Sequence, residues 1–122
     1  MRSDVLSSFE CALVRLNEAL EAEKTELNRD ASIQRFEFCY ELMWKSLKHK
    51  LKDSGLICSA PKSCFKEAFS QGWIKHEAIW LDMLSDRNLT THTYDEELAI
   101  KVFKQLPGYY QAMLELIIKI KQ

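Results

Sequence analysis

Ile33-Gln34-Arg35-Phe36-Glu37-Phe38-Cys39-Tyr40-Glu41-Leu42-Met43-Trp44-Lys45-Ser46-Leu47, continued to Leu51, decides the fold. Ile33, Phe36, Tyr40, Met43, Leu47 and Leu51 follow one another at steps of three and four, the spacing of a helical-bundle seam. The opposite face, Gln34, Glu37, Glu41, Lys45, Lys48 and Lys52, is polar at the same period. One side therefore meets a core and the other meets water. The segment reads as a helix over about Ala31–Lys52, with Asp30 as N-cap and Ser54-Gly55 as its stop.

Upstream, Val5, Leu6, Phe9, Leu13, Leu16 and Leu20 give a first helix from Ser3 or Asp4 to Lys24. Downstream, Pro61 opens a shorter helix with Phe65 and Phe69 as its apolar pair, closed by Gln71-Gly72. A fourth begins near Lys75 and carries Ile79, Trp80, Met83 and Leu84. Thr93-Tyr94-Asp95-Glu96 reads as a capping box, with Thr93 as N-cap and Glu96 at the third helical position. That helix reaches Leu106, where Pro107-Gly108 kinks or breaks it before a last stretch to about Lys121. The expectation is an all-α, up-and-down antiparallel bundle of four main helices plus a short one, a single domain over residues 1–122.

Composition agrees. In 122 residues, 47% are apolar and 13 are aromatic, enough for a core, while three glycines and two prolines leave few turns for an all-β fold. A net charge of -1 argues against non-specific coating of nucleic acid, so any RNA contact must be local. No apolar run follows Met1-Arg2-Ser3-Asp4 and none is long enough for a membrane span, so neither a signal peptide nor a membrane anchor is expected. Cys11, Cys39, Cys58 and Cys64 lack C-x-x-C or zinc-ligand spacing. They read as reduced, mostly buried thiols of a cytoplasmic protein; a Cys58–Cys64 disulfide is allowed but not required.

Chemistry concentrates in Asp86-Arg87-Asn88-Leu89-Thr90-Thr91-His92-Thr93-Tyr94, an Arg-x4-His-x-Tyr spacing. Arginine stabilises phosphate charge, and histidine moves protons near neutral pH. Arg87 continues the stripe of Trp80, Met83 and Leu84, so it must meet a carboxylate, a partner or a ligand. Asp82, Asp86, Glu37 and Glu41 are the candidate counter-ions. On an unbroken helix His92 would lie about 140° around from Arg87. The capping box frees it, placing His92 and Tyr94 at a corner beside a helix N-terminus. The plainer reading is an arginine capping carbonyls and a histidine bonded to backbone. His49 and His76 read as solvated, and Trp44, Trp73 and Trp80 as core or interface.

Residues 33–45 and 80–95, with Ala60-Pro61 and Phe65-Lys66-Glu67-Ala68-Phe69 between them, closely resemble the nucleotidyltransferase substrate-binding protein family. That family lies within the HEPN (higher eukaryotes and prokaryotes nucleotide-binding) superfamily. The resemblance implies a helical-bundle homodimer encoded beside a minimal nucleotidyltransferase. It also implies that Arg-x4-His belongs to a metal-independent endoribonuclease, the toxin of a HEPN/MNT toxin–antitoxin pair. The partner silences it by transferring AMP to the tyrosine two residues after the histidine. Carried onto this chain, the catalytic residues are Arg87, His92 and Asn88, and the modified residue is Tyr94. No cofactor and no metal is called for.

A rival expectation is a non-catalytic subunit that presents a nucleotide or other substrate, with Arg35, Glu37, Glu41, Lys45 and Arg87 lining the pocket. A third is a scaffold that only dimerises. No Gly-Ser loop followed by Asp-x-Asp is present, which argues against the chain being the transferase itself.

Overall fold

The computed structural model describes residues 2–122 as five helices: α1 (Arg2–Glu21), α2 (Glu26–Asp53), α3 (Pro61–Ser70), α4 (Glu77–Leu89) and α5 (Glu96–Lys121). A single 3-10 turn, Thr90–His92, follows α4. Among the described residues there is no strand. The all-α, up-and-down bundle is the expected one. Its central helix α2 packs against α1, α3 and α5, and α4 closes the side between α3 and α5.

The seam residues of α2 are buried as their spacing requires: Ile33, Phe36, Tyr40, Met43, Leu47 and Leu51 are all at most 2% exposed. A run of rings crosses the bundle through them. Tyr109 of α5 stacks on Phe36 at 5.5 Å, Phe36 meets Tyr40, Tyr40 meets Phe65 of α3, and Phe65 meets Trp80 of α4. Four helices are thus tied by aromatic contact. At the far end, Lys121 of α5 pairs with Glu10 of α1 at 3.0 Å.

Two helices end alike, as Ser54-Gly55 and Gln71-Gly72 foretold. Gly55 (φ +82°) and Gly72 (φ +78°) take the left-handed conformation that ends a helix without a Cβ clash. Leu56 and Trp73 then donate their amides back to the carbonyls of Leu51 and Ala68.

Four local expectations are corrected. The N-cap of α2 is Thr25, not Asp30: the Thr25 hydroxyl accepts the Asn28 amide at 3.1 Å, and nothing in 26–30 breaks a helix. Asp30 sits inside the helix, beside Arg29. Thr93 is not the cap of α5, because its hydroxyl donates backwards to the Thr90 carbonyl. Asp95 caps instead, its carboxylate accepting the amides of Glu97 and Leu98; a charged acceptor suits the positive end of the helix.

Pro107 does not interrupt α5, which runs unbroken to Lys121. The proline is exposed, so the Phe103 carbonyl it leaves without a helical donor lies on a face open to water. Pro107→Ala is expected to restore that bond and raise stability by about 1–2 kcal/mol. The gain is read as a higher urea midpoint at unchanged slope. A lower midpoint would mean that the proline's stiffening of the unfolded chain outweighs the missing bond.

Cys58 and Cys64 form a disulfide across the entry to α3, replacing the reading of four reduced thiols. The turn into α3 brings their Cα atoms to 5.1 Å, within bridging range. Cys11 is free and exposed, and Cys39 is free and buried, its thiol pKa pushed up to about 12 by burial. Among the described residues no helix is long and apolar enough to cross a membrane.

Candidate functional site

The C-terminal half of α4 faces α2. Trp80 and Met83 anchor the helix in the core, and the same stripe then turns polar with Asp86, Arg87 and Thr90. Arg87 is a quarter exposed and reaches two carboxylates one turn apart on α2, Glu37 at 3.7 Å and Glu41 at 3.5 Å. Of the four candidate counter-ions, these two are the ones it meets. Its guanidinium also donates to the Thr90 hydroxyl at 3.3 Å, which in turn donates to the Arg87 carbonyl at 2.7 Å. Arg87 Nε is buried with no partner among the described residues. Trp44 steadies Glu41 from the other side, its indole N–H donating at 3.3 Å.

Asp86 is not a counter-ion of Arg87. It is 6% exposed and accepts a hydrogen bond from the Tyr109 hydroxyl of α5 at 2.5 Å. Asp82 is exposed one turn before Asp86 on the same face of α4, near enough for its charge to reach Tyr109.

Past Arg87 the chain tightens into the 3-10 turn, which takes His92 out of the register of α4. His92 is exposed, and its Nδ1 lies 3.3 Å from the Tyr94 hydroxyl, with the two rings edge to face at 5.9 Å. Tyr94 is 86% exposed. The site therefore has two parts: a held cation against α2, and a histidine–tyrosine pair at an open corner.

The remaining candidates are spread out. Asn88 is exposed, and its carbonyl accepts from the Thr91 hydroxyl at 3.4 Å. Lys45 is exposed one turn beyond Glu41 on α2. Arg35 turns the other way and donates to the Arg15 carbonyl of α1 at 2.7 Å. Among the described residues, no group of three or more His, Cys, Asp or Glu could hold a metal ion.

Sequence reading missed Thr90 and Tyr109. A signal for Thr90 existed, because it falls on the stripe of Trp80 and Met83 at a place where an apolar residue is expected. Tyr109 carried none, being one more aromatic on an apolar helix face.

Comparison with known proteins gives a consistent picture. The family described as nucleotidyltransferase substrate binding protein like matches residues 4–122. A Haemophilus influenzae protein named "Probable ribonuclease HepT" is 34% identical over 83 residues, 64% of this chain and 57% of that protein. The chain thus spans little more than half of this curated relative. A crystal structure from Thermus thermophilus superposes with a TM-score of 0.90 at 36% identity, covering 93% of this chain and 99% of that one. A structure from Haemophilus influenzae, described as the fold of a substrate binding domain of a nucleotidyltransferase, superposes at 0.74 with 25% identity, covering 99% and 97%.

Proposed function

Because the chain belongs to the nucleotidyltransferase substrate-binding protein family, we propose that it is the toxin of a HEPN/MNT toxin–antitoxin pair. It is a metal-independent endoribonuclease, silenced when a minimal nucleotidyltransferase transfers AMP to Tyr94. The observation that carries this reading is the 3.3 Å contact between His92 Nδ1 and the Tyr94 hydroxyl, on an open corner one turn beyond Arg87. The relative named a ribonuclease supports it.

The chemistry uses this chain's own side chains. His92 takes the proton of a ribose 2′-hydroxyl, or gives one to the departing 5′-oxygen. The 2′-oxygen attacks phosphorus, the bond to the 5′-oxygen breaks, and a 2′,3′-cyclic phosphate forms. Arg87 stabilises the charge that builds on the phosphate oxygens, and Asn88 orients the phosphate or His92. For silencing, the Tyr94 oxygen attacks the α-phosphorus of ATP bound to the partner, losing its proton and releasing pyrophosphate. The resulting adenylyl group lies against His92 and adds negative charge where RNA must approach. The protein works as a cytoplasmic homodimer, so that two copies of the Arg87–His92 set line one groove.

The second reading has its own support. Arg87 is already neutralised by Glu37 and Glu41, and one relative is described as a substrate binding domain. Under it, the chain presents a nucleotide or other substrate to the transferase and cuts nothing.

Incubating the purified protein with total RNA in EDTA separates the two. Cleavage is expected to persist and to leave 2′,3′-cyclic phosphate ends, once mass spectrometry has shown Tyr94 unmodified. Strict Mg²⁺ dependence would count against His92 as the base. No cleavage at all would favour the binding subunit.

A further inference from the structure

We infer that Asp86 and Tyr109 are a positioning pair, setting the rotation of the last turn of α4 and so the direction in which Arg87 presents its guanidinium. For its catalytic consequence the inference rests on the reading of Arg87 as the group that holds phosphate; its geometric basis does not.

The argument begins with what holds α4. Its fully packed apolar anchors, Trp80 and Met83, lie in its first two turns. Beyond them the buried positions are Asp86 and Thr90, with only the half-buried Leu84 and Leu89 beside them. Apolar contact is non-directional and would let this end of the helix roll. A hydrogen bond is directional, and one to a buried carboxylate is strong because leaving that charge unpaired is costly.

The donor is itself immobile. Tyr109 is 2% exposed, lies between the buried Leu106 and Met113 on α5, and stacks on Phe36 of α2. Burial and the facing carboxylate both hold its hydroxyl in the protonated, donating form. Asp86 is thus fixed against α5 and α2, the two longest helices of the bundle.

Arg87 shares a peptide unit with Asp86. Any rotation that takes Asp86 off Tyr109 carries Arg87 away from Glu37 and Glu41, and strains the Thr90 hydroxyl that bridges the Arg87 carbonyl and guanidinium. The buried Arg87 Nε–H would then meet water.

The test uses Tyr109→Phe, which removes one oxygen and keeps the ring on Phe36. Asp86→Asn is its rescue control, because the amide oxygen still accepts from Tyr109. Asp86→Leu keeps the volume and removes the acceptor. The first readout is independent of catalysis: the solvent exchange rate of the Arg87 Nε–H, followed by NMR and assigned by its loss in Arg87→Lys. Exchange is expected to speed by about tenfold or more in Tyr109→Phe and Asp86→Leu, and to stay near the parent rate in Asp86→Asn. The second readout is RNA cleavage, with kcat expected to fall about tenfold in Tyr109→Phe, KM to change by less than about twofold, and Asp86→Asn to restore most of the rate.

An Arg87 exchange rate that is unchanged in Tyr109→Phe overturns the positioning role, whatever happens to cleavage. If the exchange effect appears but the parent cuts no RNA, the pair stands and the nuclease reading fails.

Discussion

His92→Ala is expected to abolish RNA cleavage, lowering its rate by about a hundred- to ten-thousand-fold, the usual contribution of a positioned general acid or base. The side chain is exposed and touches only Tyr94 among the described contacts, so its removal leaves the core intact. Circular dichroism and the thermal midpoint should therefore match the parent. Arg87→Ala should abolish cleavage as well, but with a stability cost, because Glu37 and Glu41 are left facing each other without their cation. Arg87→Lys should not restore activity, since one ammonium cannot span both carboxylates and the Thr90 hydroxyl as the planar guanidinium does. Undiminished cleavage by His92→Ala would remove the nuclease mechanism altogether.

Tyr94→Phe is expected to make the protein refractory to silencing. The substitution deletes the one oxygen that would accept AMP and disturbs nothing buried, as the ring is almost fully in solvent. Incubated with the partner nucleotidyltransferase and ATP, the parent should gain the mass of one AMP per chain and stop cutting RNA. The variant should gain none and continue. Incorporation of AMP into Tyr94→Phe would place the modification on another residue. Loss of cleavage in the unmodified variant would instead give the Tyr94 hydroxyl a part in the chemistry, as a hydrogen-bond partner of His92 Nδ1.

The bundle was legible in the chain because its helices are strongly periodic. The steps from Ile33 to Leu51 leave no other way to bury one face of α2, and all six seam residues lie in the core. Both glycine stops were legible too, since a left-handed residue after a helix is a local steric requirement. The caps were less so. Thr25 and Asp30, and likewise Thr93 and Asp95, are each acceptable N-caps, and the choice turned on which side-chain oxygen found an amide and which was spent on another partner. Pro107 was read as a kink or a break because a proline always lacks the donor, but α5 continues through it, and the cost is modest where the orphaned carbonyl faces water.

Within the candidate site the division is similar. Spacing along the chain was sufficient for the Arg-x4-His-x-Tyr cluster, whereas the departure of His92 from helical register was expected from a cap at Thr93 and comes instead from the 3-10 turn ahead of the Asp95 cap. Spacing also required that Arg87, lying on a buried stripe, meet a carboxylate, a partner or a ligand. Which partner was a tertiary matter. Glu41 lies 46 residues away, and its meeting with Arg87 depends on how α4 crosses α2. The same is true of Tyr109, 23 residues from Asp86, whose bond turned a supposed counter-ion into an anchor. Periodicity specifies which face of a helix is buried, through the free energy of removing apolar surface from water. It does not specify rotation within that face or the opposing side chain, because those follow from directional contacts that exist only once distant helices have packed.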